Sequence, residues 1–104
     1  MIEIKELSDN ICDELGDAKK YARLALMYKD KNRSLAETYY NLSLEEMRHA
    51  SNVLHEEGVK LIEQYRRENG EPPAPMQAVY DHDHEIEIEK AAEVKMLQAM
   101  YKGA

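Results

Sequence analysis

The sequence predicts an all-α fold, an antiparallel helical hairpin followed by a third helix, and three observations predict it. The only prolines, Pro72, Pro73 and Pro75, lie in one short stretch, so the rest of the 104 residues is free of the strongest helix breaker. Upstream of that stretch, apolar residues recur at alternating intervals of three and four, the period of a helix packed in a bundle. Turn-like punctuation falls at two places, the polar run Lys29-Asp30-Lys31-Asn32-Arg33 and the segment from Gly70 to Pro75. One domain over 1–104 is expected, with helices at about 4–29, 34–69 and 75–101.

The first helix is read from the stripe Ile4, Leu7, Ile11, Glu14, Ala18, Tyr21, Ala25 and Tyr28. Glu14 breaks the pattern, because an ionisable residue stands between Ile11 and Ala18 on the face that packs. The second helix is predicted to start at Ser34-Leu35-Ala36-Glu37, where Ser and Glu can each satisfy a free amide of the first turn. Gly70 followed by Pro72 is the order expected just beyond a helix C-terminus. That gives about 35 residues, or roughly 50 Å. The third helix admits Pro75 in its first turn. Its apolar face is weaker, comprising Val79, Ile86, Val94, Leu97 and Tyr101, and Asp81-His82-Asp83-His84-Glu85 interrupts it.

Composition excludes several classes of function. Fourteen Lys plus Arg stand against 21 Asp plus Glu, for a net charge of −7, and no basic block occurs. Nucleic acid and anionic membrane surfaces both need clustered cations, so neither partner is expected. A single cysteine, Cys12, can form neither an internal disulfide nor a four-thiolate metal site. Met1 to Glu6 alternates apolar with charged residues, unlike a signal peptide, and no stretch reaches membrane-spanning length. A cytoplasmic protein is expected. With no Phe and no Trp, the core must be thin.

The candidate chemistry lies on the second helix. Glu46-Met47-Arg48-His49 places a carboxylate and an imidazole at i and i+3, on the face that also carries Tyr39, Leu42 and Val53. Residues level across an antiparallel turn have numbers that average to its centre. Glu14 with Glu46, and Glu14 with His49, both average inside the Lys29–Arg33 turn. An uncompensated carboxylate in a bundle core costs several kcal/mol unless it is paired, protonated or bound to metal. Two carboxylates and one imidazole suit Fe(II), Mn(II) or Zn(II) better than Ca or Mg. Two copies of the hairpin about a two-fold axis would form a four-helix bundle with four Glu and two His, the donor set of di-iron carboxylate bundles. Bland alternatives remain open at this point. The stripe can rotate so that Leu15 packs and Glu14 lies on the boundary, and Glu46 with His49 can be a surface contact, with Glu45 the substitute if the helix turns.

These residues resemble the ferritin-like superfamily, most closely its rubrerythrin-type members. The resemblance runs from Asp13 to about Glu57, through Glu14, Tyr21, Leu24-Ala25, Ala36, Tyr39 and Glu46-Met47-Arg48-His49-Ala50. It implies a di-iron site in which Glu14, Glu46 and His49 are metal ligands and catalytic residues, Glu46 bridging and the other two terminal. It also implies that Fe(II) is oxidised by oxygen or peroxide. After Gly70 there is no second Glu-x-x-His, so the site is expected to be shared between two chains, as in the similar encapsulated ferritins. The four-Cys module of rubrerythrins is lacking, which would leave electron delivery to an external donor. Met100-Tyr101-Lys102-Gly103-Ala104 is not an apolar cargo tail, and a storage cage is not expected at this length. A metal-free helical adaptor, and a redox-silent Zn or Mn bundle, are the other functions the sequence allows.

The remaining candidates read as structural. Tyr21 and Tyr39 are expected in the core, His55 with Glu56 and Glu57 in solvent, and His82 and His84 on an exposed face. Met47, Met76, Met96 and Met100 are expected to pack, and Cys12 to be inert. A second arm of about 35 residues beside a shorter first arm leaves apolar surface that one further helix only partly covers. Self-association, as a dimer or a multiple of dimers, is therefore expected.

Overall fold

The computed structural model describes residues 2–103, and every regular element among them is helical. Helix α1 (Ile2–Tyr28) turns into α2 (Arg33–Arg48). A π-helical stretch, His49–Leu54, joins α2 to α3 (His55–Asn69) without a break, and α4 (Ala74–Lys102) follows the proline-rich turn. No helix among the described residues is long and apolar enough to cross a membrane.

The start of α2 differs from the expected Ser34–Glu37 box. Asn32 is the cap, in extended conformation, and its side-chain oxygen accepts the Leu35 N–H at 3.1 Å. Asn ranks with the best N-caps, and its position after the turn leaves Ser34 inside the helix, where its carbonyl accepts the Thr38 hydroxyl. At the other end, Gly70 stops α3 at φ 78° and ψ −162°, a backbone region that is essentially glycine's alone. Gly70→Ala meets no steric neighbour there, so its cost is conformational, about 1–3 kcal/mol, read from the urea midpoint.

Helix α4 returns along the hairpin parallel to α1. Ser8 Oγ donates to Glu87 at 2.9 Å near one end, Lys19 pairs with Glu93 at 2.7 Å midway, and Lys29 Nζ donates to the Tyr101 carbonyl at 2.6 Å beside the hairpin turn. The Lys19 hydrogen bond, helped by Arg23, holds the Glu93 carboxyl below its usual range. Three long helices side by side make a rod of 55 × 19 × 18 Å. Its radius of gyration is 16.4 Å, against about 13 Å for a compact domain of this length.

Small residues form the seam of that rod. Ala18, Ala22, Ala25 and Ala36 are fully buried, and at their centre Ser43 Oγ donates to the Ala18 carbonyl at 2.7 Å and accepts from Gln98 Nε2 at 3.0 Å. One hydroxyl thus ties α1, α2 and α4 together. Ser43→Ala strands the Gln98 amide in the interior and is expected to cost about 1–3 kcal/mol in chemical denaturation. Adding Gln98→Leu should recover much of that loss, because both partners are then apolar. Among the described residues the largest side chains below 2% exposure are Val94 and Ser43, so the interior is as thin as the composition implies.

The buried stripe of α1 is rotated from the expected one. Ile4, Ile11, Leu15, Ala18, Ala22 and Ala25 are buried, while Glu14, Tyr21 and Tyr28 are half-buried on a flank. Packing of α4 against the Ser8 and Lys19 side draws the stripe toward Leu15 and Ala22. The π-stretch performs a second rotation. The repeat Ala36, Ser43, Ala50 would continue to Glu57, and Tyr40, Met47, Leu54 to Leu61. One inserted residue turns everything beyond it by about 100°, so Gly58 and Ile62 face α1 and Glu57 stays in solvent.

Candidate metal centre

Two faces of the hairpin are distinguished by what they meet. Tyr40 stacks on Tyr101 of α4 at 4.6 Å, and Ser43 meets Gln98. Tyr39, turned about 100° from Tyr40, lies on the opposite flank and stacks with Tyr21 at 6.0 Å and Tyr28 at 6.1 Å. Glu14 stands two turns before Tyr21 in α1, and Glu46 two turns after Tyr39 in α2, so the tyrosine row continues into a pair of carboxylates. The flank carrying them is the one α4 leaves uncovered.

There the structure brings Glu14, Glu46 and His49 together, each half-buried, with one potential ligand atom from each within 4.8 Å of the others. Glu14 Oε2 lies 3.8 Å from His49 Nδ1, too long for a hydrogen bond. That oxygen is itself buried and has no hydrogen-bond partner. Buried carboxylate oxygens are nearly always satisfied, and leaving one bare costs on the order of 1–3 kcal/mol or more. Glu14 thus lies at the boundary, with Leu15 packed at 2% exposure, yet it aims an unpartnered oxygen at the other two residues. Glu45 is exposed and takes no part. His49 opens the π-stretch, and such irregular turns are frequent at functional sites.

Comparison with protein families, with curated proteins and with solved structures gave no match. The chemistry of the centre therefore rests on its own donor atoms. Two carboxylates and an imidazole, two of them on one helix and one on its hairpin mate, form a hard-to-borderline set suited to a divalent first-row metal. One ion held by both carboxylates leaves the half-site without net charge.

Other candidates fall in different places. Tyr21 is half-buried on the open flank, and Tyr39, half-buried beside it, packs against the buried cluster of Ala25 and Ala36. Cys12 is half-buried, and desolvation pushes its thiol above the usual value, which keeps it protonated and unreactive. His82 is exposed. His55 and His84, by contrast, meet each other across two helices with Glu87 beside them. Spacing along α4 gave no sign of that meeting, because the partner of His84 lies on another helix.

Proposed function

We propose that the chain binds Fe(II) at Glu14, Glu46 and His49 in a di-iron centre shared between two copies, and that the bound iron is oxidised by oxygen or peroxide. The observation that carries this reading is the buried, unpartnered Glu14 Oε2 facing Glu46 and His49. A cation satisfies that oxygen and at the same time cancels the repulsion of two neighbouring carboxylates.

The half-site is open on the flank that also exposes the tyrosine row and the half-buried Leu35 and Leu42. A second hairpin laid against it contributes the same three residues by two-fold symmetry. The sum is four Glu and two His, with the apolar surface that the thin core leaves outside now covered. Because each loaded half-site is neutral, closing the two together buries no uncompensated charge.

Iron supplies the electrons when bound, and the chain supplies ligation and access. Glu14 and Glu46 act as carboxylates, and His49 as neutral imidazole, so protons are released as metal binds. Tyr21 and Tyr39 wall the centre on the side of the hairpin turn. The resemblance to rubrerythrin-type ferritin-like proteins supports the same reading, through the Glu14 and Glu46-x-x-His49 pattern they share.

An anaerobic Fe(II) titration beside the Glu46→Ala variant tests it. The parent should take up one more ion per chain than the variant, and admitting air should develop ferric-oxo absorption in the parent alone. Equal uptake by the two proteins would refute the assignment and leave a helical adaptor as the reading to pursue.

A further inference from the structure

On the opposite side of the rod, α1, α3 and α4 enclose a second, separate set of donor atoms. A cavity of about 360 Å³ lies between α1, α3 and α4, lined on one wall by Ile4, Leu7 and Ile11. A smaller cavity of about 160 Å³ adjoins it. His55, at the first turn of α3, and His84 and Glu87, one turn apart on α4, line both. Ligand atoms from all three lie within 4.8 Å of one another.

Two further contacts bear on what these residues are arranged to hold. Ser8 Oγ donates to Glu87 Oε1 at 2.9 Å, which fixes the carboxylate through one oxygen. The other, Oε2, is directed toward His84 Nδ1 at 3.8 Å. A carboxylate anchored by a hydroxyl on one oxygen and free on the other is how metal-ligating carboxylates are held. The two imidazoles stand face to face, centroids 5.4 Å apart. Among the described residues, neither ring is held by a hydrogen bond to a carboxylate or a carbonyl.

We propose that His55, His84 and Glu87 form a mononuclear site for a divalent transition-metal ion, distinct from the hairpin centre. Two imidazoles and one carboxylate, with a fourth position open to the cavity, is a donor set that zinc and its neighbours favour, and one that Ca and Mg do not. Asp81 and Asp83 line the larger cavity and draw cations toward it. Binding requires one imidazole to rotate out of the stack so that both nitrogens point at the ion. The ion then ties α3 to α4 through His55 on one side and His84 and Glu87 on the other, so the site doubles as a fastener for the first half of α4.

The assignment does not depend on the hairpin centre, and the test is arranged to keep them apart. In the Glu46→Ala background, Co(II) and Zn(II) titrations should show one saturable ion per chain, Co(II) giving the intense visible bands of a low-symmetry four-coordinate site. Adding His84→Ala, an exposed position whose change leaves the fold intact, should weaken binding at least about 100-fold. Adding His82→Ala instead should leave it unchanged. Zn(II) should also slow amide exchange at residues 77–88 in the Glu46→Ala protein and not in the double variant. Absence of stoichiometric binding in the Glu46→Ala protein, or binding indifferent to His84→Ala, would overturn the site whatever the fate of the hairpin centre.

Discussion

Glu46→Ala should abolish the stabilisation that Fe(II) confers on the folded chain. In the His84→Ala background, where the α3–α4 cluster is disabled, a ligand present at 100 times its dissociation constant raises stability by about 2.7 kcal/mol. Anaerobic chemical denaturation with and without Fe(II) reads that difference directly. The metal-free variant should be as stable as its parent or more so, because the change removes the carboxylate that stands beside the unsatisfied Glu14 carboxylate. The sign pattern matters more than the size. Residues kept for structure lose stability when truncated, whereas residues kept to hold a cation cost nothing until the cation is added. His49→Ala should behave in the same way. Lowering pH should weaken the Fe(II) response of the parent, since protons compete for the imidazole and both carboxylates.

Leu35→Arg should break the assembly and leave each chain folded. Leu35 is only half-buried and lies on the open flank, one turn before Tyr39 and about 16 Å along the helix from Glu46. A cation placed there does not touch the centre. Covering it with a second copy buries an unpaired charge, expected to weaken association by about 100-fold, or 2.8 kcal/mol. Sedimentation equilibrium reads the change, and helical circular dichroism checks the fold. At protein concentrations where the variant is monomeric, Fe(II) affinity at the hairpin centre should fall with it, because half of the ligands are gone. Retained dimerisation in Leu35→Arg would place the interface on another face.

Much of the fold was legible in the sequence because its signals were local. Prolines confined to 72–75, the polar turn at 29–33 and the Gly70 stop define three helical stretches without reference to packing. The rotation of those helices was less legible, because it depends on where α4 lies. The stripe through Glu14 and Tyr21 gives way to one through Leu15 and Ala22 once Lys19 and Ser8 are engaged by α4. The π-stretch was not read at all, although Glu57 falling where the repeat of Ala36, Ser43 and Ala50 demands a small or apolar residue is a frame shift visible in the sequence. The cap at Asn32 was missed for a related reason. Ser34 with Glu37 satisfies a pattern, but two residues earlier the chain has already left the turn with an equally good capping side chain.

The candidate centre was legible to the extent that it is a matter of level and spacing. Glu14, Glu46 and His49 share a height because the hairpin turn is short, and they share a flank because seven residues separate Glu14 from Tyr21 and Tyr39 from Glu46. What spacing does not reveal is which atoms are left unsatisfied, and the bare oxygen of Glu14 comes only from the packed structure. The His55, His84 and Glu87 cluster shows the complementary lesson. On α4 alone, His82 and His84 diverge and look like solvated surface, and only the return of α4 past α3 gives one of them a partner.

Native mass spectrometry of the anaerobic, Fe(II)-loaded protein tests the shared centre most directly, because it counts chains and ions in the same particle. The account predicts assemblies built of dimers that carry two more irons per dimer than Glu46→Ala, with no monomer holding the ion that Glu46 provides. A monomer that retains that Glu46-dependent ion, or dimers whose iron content ignores the substitution, would contradict it.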